Sequence, residues 1–186
     1  DIALRKTNLG NLLADGLFKA VSELGNETKA YLRAARGMGL PAHMPRKKPG
    51  IGFGYLHGPN PADHMKFEHD WIGSDKASLE SLGLNIQSKP DALDNNKVEI
   101  ARITQIYYSM VDCMSLCMFV FGPGNIYSFG EMTDMVNAAT GLNVSFKDLM
   151  KIGEECLQLQ RKLYIQFGGK DEEFLDYLER EIPSGP

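Results

Sequence analysis

The chain has 186 residues, of which 20 are Lys or Arg and 24 are Asp or Glu, so its formal net charge is −4. No segment combines a dense basic stripe with aromatic residues, and we therefore expect no nucleic acid partner. No window approaches the roughly 20 apolar residues that a membrane span requires, and the amino terminus lacks the layout of a signal peptide. Three cysteines, an odd number, argue against a secreted disulfide framework and favour a reducing cytoplasm.

The first half of the chain is predicted to be helical with one long irregular segment. Apolar residues recur at helical spacing over residues 9–24, which predicts one helix ending at Gly25, and a shorter helical pattern covers residues 27–36. Residues 37–63 are rich in glycine and proline, which predicts an ordered or semi-ordered loop without regular helix or central strand. Residues 75–94 are polar and weakly periodic, and fit either a short helix with a linker or a partly mobile surface.

The second half has a sharper helical pattern. A helix is predicted from about Asn96, with a break at the Gly-Pro-Gly run of residues 122–124. A second helix is predicted over residues 131–140, with Gly141 just beyond its carboxyl end. Residues 145–148 form a capping-box pattern that opens a helix through about residue 165, and residues 171–181 predict a last acidic helix. No convincing alternating strand is present, so the predicted fold class is all-α.

Cys117 is the candidate metal ligand. If the helix persists to Cys117, then Cys113 and Cys117 share one face, and Asp112 lies beside it, able to accept hydrogen bonds from the N–H groups of a pterin or purine ring. Leu116 and Cys117 also offer backbone groups. A 4Fe-4S cluster normally needs four cysteines, and the only others are Cys113 and Cys156. Either Cys117 is a core residue, the commoner role for such a cysteine, or its companions lie outside this chain.

Two other motifs suggest ligand binding, but each has a simpler interpretation. The glycines of residues 50–54 lack the preceding strand of a dinucleotide-binding loop, so a tight backbone path near other structure is favoured. Histidines and acids interleave over residues 57–70 and could hold iron or zinc, but their spacing matches no closed zinc pattern, so solvated loop residues are favoured. The members of this group are His57, Asp63, His64, Glu68, His69 and Asp70.

Several short motifs, in one order, resemble the tungsten-containing aldehyde ferredoxin oxidoreductase family. They are Leu-Leu-Ala-Asp-Gly at 12–16, Gly-Leu-Pro-Ala-His-Met-Pro-Arg at 39–46, Gly-Ile-Gly-Phe-Gly-Tyr at 50–55, Ala-Asp-His at 62–64, residues 112–119, Asn-Ala-Ala-Thr-Gly at 137–141 and Ile-Gly-Glu at 152–154. The resemblance implies that residues 1–74 are part of the middle helical domain and residues 97–186 part of the carboxy-terminal helical domain. Residues 75–96 would be a linker or weakly structured, and the chain would be an excised piece of a larger polypeptide.

The resemblance also implies a cofactor set and site residues. Family members hold a bis-molybdopterin cofactor, with tungsten or molybdenum, beside a 4Fe-4S cluster. By this resemblance Cys117 would be the last cluster ligand, Asp112 and the Leu116 backbone would hold one pterin, and the remaining cysteines would precede this chain. His64 matches a histidine that in some members binds a single iron at a dimer contact. Ferredoxin or an iron-sulfur electron-transfer subunit is the expected partner, and an oligomer is expected.

Three departures from the family pattern leave the activity open. Ser115 replaces the usual glycine, Glu155 replaces a basic residue, and Asn60-Pro61 replaces an arginine-glycine pair. Aldehyde oxidation is the first interpretation, and the catalytic subunit of a tungsten-dependent benzoyl-CoA reductase is the alternative. Two further alternatives are a non-catalytic helical interaction domain and a small autonomous metal protein that binds its metal through the histidines of residues 57–70. Neither would need the pterin cofactor or the iron-sulfur cluster.

Overall fold

The computed structural model describes residues 2–67 and 70–169. Helices dominate this part of the chain, and its only strands form one two-stranded hairpin, so the predicted all-α class is confirmed. Within these residues, no helix meets the length and hydropathy that a membrane span requires. The elements in chain order are α1 (Asn8–Ala14), α2 (Leu17–Leu24), a 3₁₀ helix (Asn26–Tyr31), β1 (Ala34–Ala35), β2 (Met38–Gly39), α3 (Pro49–His57), a second 3₁₀ helix (Trp71–Ser74), α4 (Lys76–Ser81), α5 (Asn95–Cys113), α6 (Met118–Phe121), α7 (Phe129–Thr140) and α8 (Phe146–Gln166).

The single helix predicted over residues 9–24 is wrong, because the chain breaks between α1 and α2. Gly16 has a φ of 86°, a left-handed conformation that glycine adopts without steric cost. Its N–H group donates to the Leu13 carbonyl at 3.1 Å, which closes the last turn of α1. The apolar spacing is the same on both sides of Gly16, so periodicity alone does not reveal the break.

The prediction of a helix over residues 27–36 holds only as far as Tyr31 and is wrong for the remaining residues. A 3₁₀ helix ends at Tyr31, and the chain then forms a hairpin in which Ala34 pairs with Gly39 and Ala35 with Met38. Arg36 and Gly37 form the two-residue turn with φ values of 49° and 85°, since hairpin turns favour positive φ at both central residues. From this turn the Arg36 guanidinium group donates to the Gly58 carbonyl, which lies outside the hairpin.

A regular helix, α3, lies inside the segment that was predicted to contain none. Pro49 occupies its first turn, where a missing N–H group costs nothing. The buried Asp70 carboxylate accepts hydrogen bonds from the N–H groups of Gly50 and Ile51 at 2.8 and 3.1 Å. The same carboxylate lies 2.7 Å from the buried ammonium group of Lys97 on α5. A distant carboxylate therefore stabilises a helix that its own glycine-rich sequence does not favour.

The close backbone approach predicted for residues 50–54 is confirmed. A Cβ atom on Gly50 would lie 2.6 Å from Oδ1 of Asp70, and one on Gly54 would lie 2.6 Å from the Phe67 ring. Both glycines therefore let α3 pack against the segment that returns after it.

Residues 75–96 contain the short helix that one interpretation allowed, namely α4. Leu79 and Leu82 are buried in the core cluster that includes α5. The Ser88 N–H group donates to the Gly73 carbonyl at 2.9 Å, which ties the following loop to the second 3₁₀ helix. The division of the chain into domains at this segment stays a prediction.

The main core lies where α5 and α8 cross. A Cβ atom on Gly153 of α8 would lie 2.4 Å from the Ile106 carbonyl oxygen and 2.8 Å from the Met110 Cβ, so the two backbones touch here. The carboxy-terminal helix signals are confirmed: Gly141 has a φ of 72° after α7, and Ser145 with Asp148 forms the capping box of α8. The acidic helix predicted over residues 171–181 lies outside the described residues.

Candidate cofactor-binding site

The candidate site lies at the carboxyl end of α5. This helix ends at Cys113, four residues before the proposed metal ligand Cys117. Ser115 has a φ of 56°, and its N–H group donates to the Asp112 carbonyl at 2.9 Å, while the Leu116 N–H group donates to the Val111 carbonyl at 3.0 Å. These two bonds with a left-handed residue between them form a Schellman cap. Cys113 is the last helical residue, so the predicted shared helix face of Cys113 and Cys117 is wrong.

The Asp112 side chain is 43% exposed and forms an ion pair with Lys66, which follows α3 in the chain. Lys66 contacts the Oδ2 oxygen of Asp112. Within residues 2–67 and 70–169, no hydrogen bond reaches the Oδ1 oxygen of Asp112. The carboxylate is therefore oriented by one partner and presents a second acceptor to any group outside the described chain.

Leu116 offers only one of its two backbone groups. Its N–H group is used in the cap of α5, whereas no group in the described part of the chain donates to its carbonyl oxygen. The side chain is partly buried against the main core, together with those of Met114 and Met118. The Leu116 carbonyl can therefore accept a hydrogen bond from a group outside the described chain.

Cys117 lies in the loop between α5 and α6 with an exposed, unbridged thiol. Its carbonyl oxygen accepts hydrogen bonds from the N–H groups of Val120 and Phe121, both at 3.0 Å, so α6 anchors its backbone. The Phe119 side chain nearby is 66% exposed. Because the backbone is fixed and the thiol is accessible, Cys117 can present a thiolate to a metal centre outside this surface.

Cys113 has a different environment. Burial and the neighbouring thiol of Cys156 on α8 raise the pKa of Cys113 to about 11. A thiol with a raised pKa is mostly protonated near neutral pH and is a poor metal ligand in that form. Cys113 is nevertheless exposed in the described chain, so its interpretation as a packing residue stays a prediction.

His64 is half-buried, and its ring packs against that of His43 with 4.7 Å between the ring centroids. The Asp63 carboxylate accepts a hydrogen bond from the Met65 N–H group at 2.8 Å, which shapes this loop. Glu68 and His69 lie outside the described residues, and among those described no three histidine, cysteine or acidic side chains gather as a metal site. The single iron on His64 stays a prediction.

Lys66 is the site residue that sequence reasoning missed. It lies 46 residues before Asp112, and no local pattern connects the two. Through this pair the loop that carries His64 meets the end of α5.

The residues at the end of α5 fit the predicted cofactor set in part. Two carbonyl-type acceptors, Oδ1 of Asp112 and the Leu116 oxygen, face no donor in the described chain and suit the N–H groups of a pterin ring. Cys117 could supply one thiolate, and three further ligands of a 4Fe-4S cluster would have to come from outside this site.

Comparison with known proteins gives the family. A family model described as aldehyde ferredoxin oxidoreductase, domains 2 and 3, matches residues 1–186. The tungsten-containing aldehyde ferredoxin oxidoreductase of Thermococcus kodakarensis is 30% identical over 190 residues, covering 100% of this chain and 29% of that protein. The proteins of the same name from Pyrococcus abyssi and Pyrococcus horikoshii are 29% and 28% identical, each covering 98% of this chain and 29% of the relative.

No solved structure matches the chain significantly. The chain spans 29% of the length of these curated relatives. The family match, in contrast, extends from the first residue to the last and includes both the α3 segment and the end of α5. The chain therefore belongs to the aldehyde ferredoxin oxidoreductase family and corresponds to its domains 2 and 3.

Proposed function

We propose that this chain is part of a tungsten-bis-pterin, iron-sulfur oxidoreductase that oxidises aldehydes to carboxylic acids and passes the electrons to ferredoxin. The observation that carries the proposal is the exposed cap of α5, where two acceptors and one thiol lie within six residues of a chain that matches the family throughout. The names of the relatives, which specify tungsten, aldehyde and ferredoxin, support the same activity.

In this proposal the end of α5 binds and orients the cofactors. Oδ1 of Asp112 and the Leu116 carbonyl accept hydrogen bonds from the N–H groups of one pterin, and the Cys117 thiolate holds one iron of the cluster. When bound, the tungsten cofactor supplies the oxidation chemistry, while the protein positions it and tunes its surroundings.

Lys66 has a positioning role in this arrangement. It holds Oδ2 of Asp112, which fixes the rotation of the carboxylate and leaves Oδ1 for the pterin. Partly buried Met114, Leu116 and Met118 pack against the main core and anchor this segment to it.

The two alternatives predict different results for the same protein. A benzoyl-CoA reductase catalytic subunit would carry the same metals but reduce an aromatic acyl-CoA instead of oxidising aldehydes. A non-catalytic interaction domain would carry no metal. Metal content separates the last interpretation from the first two, and substrate assays separate the first two from each other.

The test is elemental analysis and activity of the parent protein, purified without oxygen, with and without Cys117→Ala. We expect tungsten and about four or more irons per chain in the natural protein, as a cubane cluster requires. Cys117→Ala should lose most of this iron and abolish electron transfer, because one cluster ligand is removed.

Cys113→Ala is the matched control, since Cys113 belongs to the same cap but faces Cys156. Its iron content should stay near that of the natural protein. Retention of iron and turnover in Cys117→Ala would contradict the ligand assignment, and absence of all metals in the parent protein would favour the interaction domain.

A further inference from the structure

Two cysteines that the proposed cofactor site does not use lie together where the end of α5 meets α8. The Cys156 side chain on α8 acts on the Cys113 thiol through a side-chain hydrogen bond and through its charge. Asp112 also acts on Cys113 through its charge, whereas the described Cys117 side chain is not among the groups that do so. The neighbour of the Cys113 thiol is therefore the cysteine across the helix contact and not the nearer cysteine in the sequence.

The helices that carry these two cysteines run in the same direction and touch. At the start of α8, the Phe146 ring lies 6.3 Å from the Tyr107 ring of α5, measured between the ring centroids. About two turns further along α8, a Cβ atom on Gly153 would lie 2.8 Å from the N and Cβ atoms of Met110. Both helices therefore advance towards their carboxyl ends from the first contact to the second, and their backbones touch at Gly153.

Each cysteine lies about one turn beyond this backbone contact. Cys156 follows Gly153 by three residues and Cys113 follows Met110 by three residues, and residues three apart share a helix face. Three residues rise by about 4.5 Å, so the two helices have little length over which to diverge. A disulfide needs Cα atoms within about 7 Å of each other, and a backbone contact one turn away favours such a separation. The fold therefore presents the two thiols to each other.

We propose that Cys113 and Cys156 are a dithiol pair that closes to a reversible disulfide and fastens the end of α5 to α8. Cys113 is exposed and Cys156 is partly exposed, so a small oxidant can reach the pair. Disulfides that form in reducing compartments are usually transient and are catalytic or redox-sensing. The proposal does not depend on the proposed cofactors, because neither thiol is assigned to them.

The oxidant in this reaction is a low-molecular-weight disulfide, such as oxidised glutathione. One cysteine thiolate attacks it, forms a mixed disulfide and releases one glutathione thiolate. The second cysteine thiolate then attacks the protein sulfur of the mixed disulfide, and the second glutathione thiolate leaves. The protein loses two electrons and two protons, and the two glutathione molecules gain them. Because the pKa of Cys113 is raised to about 11, little of its thiolate is present near neutral pH, and we expect the bridge to form slowly.

The test is disulfide mapping of the parent protein after anoxic incubation in glutathione buffers that range from reduced to oxidised. Free thiols are trapped with N-ethylmaleimide, and the peptides are identified by mass spectrometry without reduction. We expect the linked peptides of Cys113 and Cys156 to accumulate as the buffer becomes oxidising and to separate in dithiothreitol. The effective concentration of the pair should be about 10 mM or more, because a folded backbone holds two thiols closer together than a short flexible linker does.

The same protein unfolded in denaturant is the first control. Cys117 lies four residues from Cys113, and loop closure in an unfolded chain favours the nearer partner. In denaturant, Cys113 should therefore link to Cys117 in preference to Cys156 by roughly tenfold, and folding should reverse this preference. In the folded protein, a link between Cys113 and Cys117, a glutathione adduct that persists on Cys113 without a bridge, or a covalent dimer on a non-reducing denaturing gel would overturn the proposal.

Two variants separate the bridge from the cofactor assignment. Cys117→Ala should keep the bridge between Cys113 and Cys156 even where it loses iron, and loss of the bridge in this variant would count against the proposal. Cys156→Ser should leave a glutathione adduct on Cys113 in place of the bridge.

Hydrogen exchange then shows whether the bridge fastens the end of α5. The Leu116 amide, which donates to the Val111 carbonyl in the cap, should exchange roughly tenfold more slowly in the bridged protein than in the dithiol form. Cys156→Ser should show no such slowing in the oxidised buffer. Equal exchange in the bridged and dithiol forms would overturn the fastening of α5 to α8.

Discussion

The two ends of α5 each carry a lysine–aspartate pair, and the pairs differ sharply in their surroundings. Lys97 and Asp70, at the start of α5, are 1% and 0% exposed, while Lys66 and Asp112, at its end, are 32% and 43% exposed. The buried Asp70 also caps α3. Lys97 also donates to the Pro90 carbonyl at 3.3 Å.

Because of this difference in burial, the pair at the start of α5 contributes to stability, whereas the pair at its end is accessible for binding. A buried charge that loses its partner is costly, because neither water nor another group replaces it. An exposed pair contributes little, since water replaces each partner readily. We infer that the start of α5 holds the segments of the fold together, whereas the Asp112 carboxylate at its end can take a further partner at little cost in stability.

The largest effect that would test this comparison is expected for Asp70→Asn. Asparagine accepts the positive φ of 66° at this position and keeps one acceptor for α3, but it leaves the Lys97 charge buried without its counterion. We expect a loss of about 3–5 kcal/mol in the opening free energy of α5 amides, measured by native-state hydrogen exchange of the parent protein.

Lys66→Met is the matched control at the exposed end. It should change the same free energy by less than about 1 kcal/mol. Equal effects of the two substitutions would show that burial does not distinguish the pairs, and the comparison would be wrong.

A smaller effect is expected at the middle of α5, where Gly153 of α8 touches it. Gly153→Ala places a methyl group 2.4 Å from the Ile106 carbonyl oxygen, so the helices must separate. We expect a loss of about 1–3 kcal/mol in the same hydrogen exchange measurement, the usual cost of overpacking.

Gly130→Ala provides the control for helix propensity. A Cβ atom on Gly130, the second residue of α7, meets nothing closer than 3.9 Å, so alanine should stabilise this helix, by less than the roughly 1 kcal/mol found in helix interiors. A stabilising Gly153→Ala would mean that the contact between α5 and α8 is looser than the structure has it.

Much of the second half of the fold could be predicted because its signals are local. Gly141 ends α7, and the Ser145–Asp148 capping box opens α8, and each signal involves residues no more than four apart. The exact end of α5 has no such signal. Glycine usually marks the left-handed residue that ends a helix, but here that residue is Ser115.

Two features that the sequence does not reveal depend on contacts between distant residues. The α3 helix depends on Asp70, 20 residues beyond its first capped N–H group. The ion pair that orients Asp112 joins residues 46 positions apart. Sequence spacing shows which side chains could bind a cofactor, but it does not show which distant group holds them in place.

The smallest expected effect lies at the exposed end, where Ser115 adopts a φ of 56° in the cap of α5. A left-handed conformation costs a non-glycine residue roughly 1–2 kcal/mol. Glycine avoids this cost, but it loses more backbone entropy on folding, which cancels part of the gain. Ser115→Gly should therefore raise the opening free energy of the Leu116 amide by about 0.5–1 kcal/mol and slow its hydrogen exchange. This amide donates to the Val111 carbonyl in the cap.

Ser22→Gly is the control, because Ser22 is exposed within α2, where glycine is unfavourable by roughly 0.5 kcal/mol. The two substitutions should have opposite signs, and a destabilising Ser115→Gly would contradict the cap. If Ser115→Gly stabilises the cap and the tungsten and iron contents are unchanged, then serine already holds the backbone shape that the site requires. In that case the departure at Ser115 alters stability and not the position of Asp112, Leu116 and Cys117.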